Sequence, residues 1–180
     1  MKPGGARAAI QAGASMWNDV TALGAPGALG VAAQLGCQIC LMHMQGEPRT
    51  MQADPHYDDV AGEVEAFLLA RAAAAMKAGV SRENIWLDPG IGFGKTLVHN
   101  LALMGALPRL AGLGFPILFG ASRKRFIASL DNDAPADQRL GGSIAAALHA
   151  AQAGAAMIRV HDVRETAQAL KVRAAIQASG

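Results

Sequence analysis

Five short apolar runs alternate with longer Ala-rich patterns of helical period, and this alternation constrains the 180-residue chain more than any other feature. Runs such as Ile-Cys-Leu-Met and Ile-Leu-Phe lack the strict polar alternation of a half-exposed strand. They predict parallel strands covered on both faces, with the helices between them as right-handed crossovers. The spacing predicts strands over 15–19, 38–44, 85–88, 116–120 and 156–160, and helices over 3–12, 26–35, 58–78, 101–111, 143–153 and 163–178. The helix over 58–78 is the best marked. Val60, Val64, Phe67, Leu68, Arg71 and Ala75 recur at three and four, Asp58 and Asp59 suit its first turn, and Gly79 stops it. The fold class is α/β. No linker or composition break divides the chain, so one domain is expected over 1–180. The segment 45–57 is polar, contains Pro48 and Pro55, and is long enough to serve over a site.

Composition narrows the function classes. Charged residues are 17%, aromatics 4% and the formal net charge is +2. A disordered polyelectrolyte and an aromatic-rich nucleic-acid platform are both excluded, while small anions remain possible ligands. The least polar stretch, 141–158, is mostly Ala and holds Ser143, His149 and Gln152, so no membrane span is expected. There is no N-terminal basic-then-apolar signal, and the expected location is cytoplasmic. Cys37 and Cys40 spell CxxC, but they fall at a strand start on opposite faces with no second pair. They read as core filler rather than a redox or zinc pair. His56, His99 and His149 show no metal-ligand spacing, and His43 suits a hydrogen-bonded structural role as well as a site.

Each predicted strand ends in polar groups that its apolar body does not call for. These are Asn18-Asp19, His43, Asp88, Ser122-Arg123-Lys124 and Arg159-Val160-His161-Asp162. In parallel α/β folds the carboxyl ends of the strands build the site. Arg159 and His161 share one strand face and form a good anion grip, with a salt bridge to Asp162 as the alternative. Lys124 can reach a ligand oxygen or nitrogen as a point charge. Asp88-Pro-Gly-Ile-Gly-Phe-Gly-Lys95-Thr96 resembles a phosphate loop, but Pro89 stands where the first Gly is required. The alternating Gly90, Gly92 and Gly94 instead let backbone approach a flat ligand, with Phe93 free to cover it. Asp88 would accept two donors from an amidine-like edge; helix capping is its alternative role.

Five blocks in order carry a family resemblance: Leu41-Met-His-Met-Gln-Gly46, Asp88-Pro-Gly-Ile-Gly-Phe-Gly-Lys95, Gly120-Ala-Ser-Arg-Lys124, Arg139-Leu-Gly-Gly-Ser143 and Ile158-Arg-Val-His-Asp162. With Asn18-Asp19, they resemble bacterial dihydropteroate synthase over essentially the whole chain. That family condenses 6-hydroxymethyl-7,8-dihydropterin pyrophosphate with 4-aminobenzoate, releasing pyrophosphate, in folate synthesis. It is the sulfonamide target, usually a homodimer, assisted by Mg²⁺, and folds as a TIM barrel. The resemblance implies that Asn18 and Asp88 bond the pterin edge, with Met42 and Gly120 lining its slot. Lys124 would contact the pterin and lie near the aminobenzoate ring. Phe93 would bound the aminobenzoate side, Ser122 would lie near its carboxylate, and Arg159 and His161 would hold the pyrophosphate. Lys124, Arg159 and His161 are thus the implied catalytic residues.

Set beside that family, the chain starts at a helix that there follows the third strand. The resemblance therefore implies a partial (β/α)8 barrel: about five parallel strands, units four to eight, with flanking helices. The usual protein ligand of Mg²⁺ lies outside it, and Met1 is left open as an internal methionine. Five parallel strands do not close a barrel, so the expected chain is marginally stable and catalytically weak or dead alone. Two other readings compete. A corrinoid-type pterin methyltransferase shares the barrel but has no need of Lys124, Arg159 and His161. A non-catalytic pterin-binding subunit would bind without turnover.

Overall fold

The computed structural model describes residues 2–47 and 49–179. Met1, Pro48 and Gly180 lie outside the described residues, and so do the question of the start at Met1 and the first proline of segment 45–57. All five expected strands are present and every pairing is parallel: β1 (Met16–Asp19), β2 (Gln38–Met42), β3 (Ile85–Asp88), β4 (Leu118–Phe119) and β5 (Met157–Ile158). β1, β2 and β3 form one sheet and β4 pairs with β5. A parallel bridge between Leu87 and Ile117 continues the array from β3 to β4. Strands therefore lie side by side in chain order, as in a (β/α)8 barrel, and the described residues form an arc that does not close. β4 and β5 are shorter than expected, partly because Pro116 has no N–H to donate. Its carbonyl still accepts from Leu87 N at 3.0 Å, and Phe119 O accepts from Arg159 N at 2.9 Å.

Among the described residues the α-helices are α1 (Pro3–Gln11), α2 (Ala28–Leu35), α3 (Val60–Lys77), α4 (Leu97–Gly105), α5 (Leu107–Ala111), α6 (Arg125–Leu130), α7 (Leu140–Gln152) and α8 (Val163–Ala178). α3 buries Val60, Val64, Leu68, Ala72 and Ala75. These pack with Ile39, Leu41, Ile85 and Leu87 in one core cluster. Alternation along the strands puts Asn18, Met42 and Asp88 on the opposite, concave face. Asp59 caps α3 rather than lying in its first turn, accepting from Gly62 N at 3.1 Å. Gly79, at φ +102°, closes the helix: its N–H reaches Met76 O and that of Val80 reaches Ala75 O, both at 3.0 Å. That pair of bonds is a Schellman stop.

The expected helix over 101–111 is instead two. α4 starts four residues earlier because Thr96 and His99 cap it reciprocally: Thr96 Oγ1 accepts from His99 N at 3.2 Å and His99 Nδ1 from Thr96 N at 3.3 Å. Histidine stands where such a box usually has Glu or Gln. Pro108 then opens α5 as a new first turn. α6 was not expected at all, being six residues with a consecutive apolar run, Phe126-Ile127-Ala128, that shows no helical period.

Candidate active site

A concave pocket of about 180 Å³ opens at the carboxyl ends of the strands, lined by Asn18, Val20, Met42, Asp88, Phe93, Gly120, Lys124 and Arg159. β1 supplies Asn18, β2 Met42, β3 Asp88, and the two segments after β4 and β5 supply Lys124 and Arg159. Seven of the nine residues nominated from sequence converge here. Val20 was missed because it is an ordinary apolar side chain; only its position two residues past Asn18, on the same face, marks it. Ser122 and His161 do not line the pocket. Ser122 Oγ accepts from His161 N at 3.2 Å and lies 3.0 Å from His161 Nδ1, so the two hold each other beside Arg159.

Asp88 is 6% exposed, and its Oδ1 accepts from Gly90 N at 2.7 Å. It caps no helix, since α4 is capped by Thr96. Burial pushes its carboxyl up, against the Gly90 N–H and the positive charges of Lys124, Lys95 and Arg159. Such a carboxylate is short of water and well placed to accept from a ligand's N–H groups. Lys124 donates to Ile91 O, and its Nζ stands 4.5 Å from the Phe93 ring centroid. Burial brings Lys124 down to about 8, Asp88 opposing and Arg159 adding to the drop. Arg159 is exposed. The salt bridge considered for it goes elsewhere: Asp162 takes Arg123 Nε at 3.0 Å and Nη2 at 2.5 Å. Arg123 sits at φ +58°, its N–H bonded to Ser143 Oγ at 2.9 Å and its carbonyl to Arg139 Nη1 at 2.8 Å. This pinned left-handed residue separates Ser122, facing His161, from Lys124, facing the pocket.

The glycine-rich segment after β3 differs from expectation in its reason. Gly90, Gly92 and Gly94 all have positive φ, but a Cβ on Gly90 would stand 1.8 Å from His43 O and one on Gly94 2.3 Å from Gln45 O. At Gly90 and Gly94 the close approach is to the protein's own backbone after β2, whereas a Cβ on Gly92 would meet the Lys124 side chain at 3.0 Å. His43 is 6% exposed and does not line the pocket; its Nδ1 lies 2.9 Å from Lys95 Nζ, and burial with that neighbour holds it neutral, down to about 3. Lys95, a residue not nominated, is 3% exposed.

A second hollow, of about 470 Å³, adjoins the first and shares Phe93 and Lys124 with it. Met51, Leu97 and Phe126 give it apolar walls, and Arg125 brings a further cation. The segment 45–57 does reach over this site, since Gln52 Nε2 donates to Gly92 O at 2.6 Å and Tyr57 OH to Gly94 O at 2.8 Å. Asp88 is the one carboxylate lining either hollow. Among the described residues no group of three or more His, Cys, Asp and Glu side chains could hold a metal ion. Magnesium is usually held by one or two carboxylates with phosphate oxygens and water rather than by such a cage, and Asp88 is the carboxylate at hand. Cys37 and Cys40 are free thiols, and Cys40 is wholly buried with its thiol pushed up by burial and by Asp88.

The sequence matches the profile of the pterin binding enzymes over residues 1–161. Dihydropteroate synthase of Escherichia coli K12 is 47% identical over 171 residues, covering 95% of this chain and 60% of that protein. The chain therefore spans about 60% of the length of this curated relative. Among solved structures, dihydropteroate synthase of Stenotrophomonas maltophilia with active site-bound imidazole is 49% identical with a TM-score of 0.97, covering 99% of this chain and 68% of that one. The Xanthomonas albilineans enzyme in complex with 7,8-dihydropteroate is 49% identical with a TM-score of 0.92, covering 98% of this chain and 64% of that one.

Proposed function

The chain belongs to the pterin binding enzyme family, and on that premise we propose that its function is that of a dihydropteroate synthase, joining a dihydropterin diphosphate to 4-aminobenzoate. The observation that carries this reading is the convergence of Asn18, Asp88, Lys124 and Arg159, from four different strand ends, on one pocket. Asp88 and Asn18 read the donors and acceptors of the heterocycle's edge, and Lys124 donates to a ring oxygen or nitrogen. Arg159, at the exposed rim, meets the diphosphate, with His161 held beside it by Ser122. The arylamine enters the second hollow across Phe93. There Arg125, not Ser122, faces its carboxylate, because Ser122 is turned toward His161.

In the reaction the bond from the pterin methylene to the diphosphate oxygen breaks, its electron pair leaving with the diphosphate. The methylene is left cationic, and the desolvated Asp88 carboxylate at the far edge of the conjugated ring favours that charge. The lone pair of the arylamine nitrogen forms the new C–N bond, and its proton passes to solvent. The protein's part is positioning and charge stabilisation. A second copy of the chain is proposed as partner, because Leu140, Ile144, Leu148, Val172 and Ile176 leave an apolar groove between α7 and α8. The free thiols support a cytoplasmic location. Calorimetry with a pterin and pyrophosphate, alongside a dihydropteroate-forming assay, tests the proposal. Pterin binding that is lost in Asp88→Asn is expected. Turnover by the 180-residue chain is expected to be far below that of the Escherichia coli relative, because the strand array is open. No pterin binding by the wild-type chain would refute the reading.

A further inference from the structure

The segment after β3 is held in an unusual way. Six consecutive carbonyls are each taken by a side chain: Ile91 O by Lys124, Gly92 O by Gln52, Phe93 O by Lys95, Gly94 O by Tyr57, and Lys95 O and Thr96 O by Asn100. The donors come from three separate parts of the chain, and five of these six carbonyls are reached from outside the 89–95 loop. Lys95 is the exception, and with Asn100 it is one of the two most deeply buried donors, each 3% exposed. Its Nζ lies 3.0 Å from Phe93 O and 2.9 Å from His43 Nδ1, beneath the Tyr57 ring at 6.0 Å. It thus ties the loop to the end of β2 at the residue whose ring separates the two hollows.

We infer that Lys95 is a positioning residue for the second substrate, an arylamine carboxylate, acting by fixing the Phe93 backbone and so the wall that this substrate packs against. The inference rests on the proposed reading of the second hollow. Phe93 lines both pockets, but the pterin is also gripped by Asn18, Asp88, Lys124 and Arg159, none of which depends on Lys95 for a hydrogen bond. The second hollow has Arg125, Lys124 and Lys95 itself on its lining for a carboxylate, but the arylamine ring packs on Met51, Phe93, Leu97 and Phe126, so its affinity falls when Phe93 moves. Tyr57, one carbonyl further on, acts in the same sense with a single neutral bond.

The test is calorimetry on the full chain. Pterin is titrated first, then 4-aminobenzoate with the pterin pocket filled by pterin and pyrophosphate. Lys95→Met is expected to weaken 4-aminobenzoate binding roughly tenfold or more, and Tyr57→Phe by a smaller factor, with pterin affinity within about twofold of wild type in both. A purely structural role would lower both affinities together, and that outcome overturns the inference. So does 4-aminobenzoate binding unchanged in Lys95→Met. Should Lys95→Met not fold, Tyr57→Phe decides alone by the same split. A wild-type chain that binds pterin but no 4-aminobenzoate would instead sink the reading of the second hollow, and this inference with it.

Discussion

Replacing Lys95 by Met separates two effects that the native residue combines. Lys95 is 3% exposed, and burial brings its ammonium from 10.5 to about 7, Asp88 opposing and Lys124 adding to the fall. At about 1.4 kcal/mol per pKa unit, holding this amine in the folded interior costs about 5 kcal/mol at pH 7 and below. Met keeps the length of the stem and removes that penalty. It also removes the bonds to Phe93 O and His43 Nδ1, leaving a buried carbonyl without its donor, a loss of roughly 2–3 kcal/mol in total. The net expectation at pH 6.5 is a gain of about 2 kcal/mol, which raises Tm by roughly 4–8 °C for a chain of this size. The pH dependence has a definite sign. A lysine whose folded pKa lies below its unfolded one burdens the folded state fully below pH 7, and the burden fades as pH rises toward 10.5. Wild-type stability should therefore climb over that window, while the advantage of Lys95→Met shrinks and then reverses once only the lost bonds remain. The desolvation of Lys124 is common to both proteins, while its repulsion with Lys95 is relieved in the variant and acts in the same direction. Urea unfolding at pH 6.5, 8 and 9.5 reads this directly. A variant less stable than wild type at pH 6.5, or an advantage that does not change with pH, would refute the reasoning.

Three further substitutions probe the pocket and the core. Asp88→Asn keeps an acceptor for the Gly90 N–H but turns a donor toward the ligand's donors, so pterin affinity should fall about a hundredfold or more by calorimetry, with the circular dichroism spectrum retained. Arg125→Ala should weaken 4-aminobenzoate severalfold and leave pterin affinity unchanged, because Arg125 lines the second hollow alone; an effect on pterin instead would misplace the carboxylate. Leu68→Ala removes a fully buried side chain from the face of α3 and should cost about 2–5 kcal/mol, seen as a lower urea midpoint at unchanged slope.

The parallel array was legible because its signal is redundant. Each strand carries both an apolar run and a polar terminus, so Gln38–Met42 and Ile85–Asp88 were found within two residues at either end. The failures are places where a single residue decides. Thr96 and His99 start α4 through a cap in which imidazole replaces a carboxylate, and nothing in the hydrophobic period announces it. α6 is shorter than two turns, too brief for any period to show, and its three buried residues are contiguous. Pairings at long range were illegible for a different reason. That Asp162 takes Arg123 and not Arg159 depends on a left-handed φ at a non-glycine residue, a conformation the sequence gives no cause to expect.

The same distinction explains which site residues were visible. Asn18 and Asp88 are polar groups at the ends of apolar strands, aimed by the strand period, whereas Lys124 and Arg159 follow β4 and β5 and Lys124 is turned to the pocket at Arg123. Lys95 and Asn100 look like ordinary loop and helix-surface residues in the sequence, yet they are 3% exposed each. Their burial goes with the positive-φ Gly90 and Gly94, which let the 89–95 loop lie against the backbone at His43 and Gln45 and so close over the lysine. Gly90 and Gly94 thus serve the scaffold, while Gly92 lines the second hollow beside Lys124. A methyl added at Gly90 would meet His43 O at 1.8 Å, so Gly90→Ala is expected to push the loop off β2 and shift the Phe93 wall of the second hollow through backbone position. That chain of contact runs through Lys95, which is why its removal can raise stability and still impair the site.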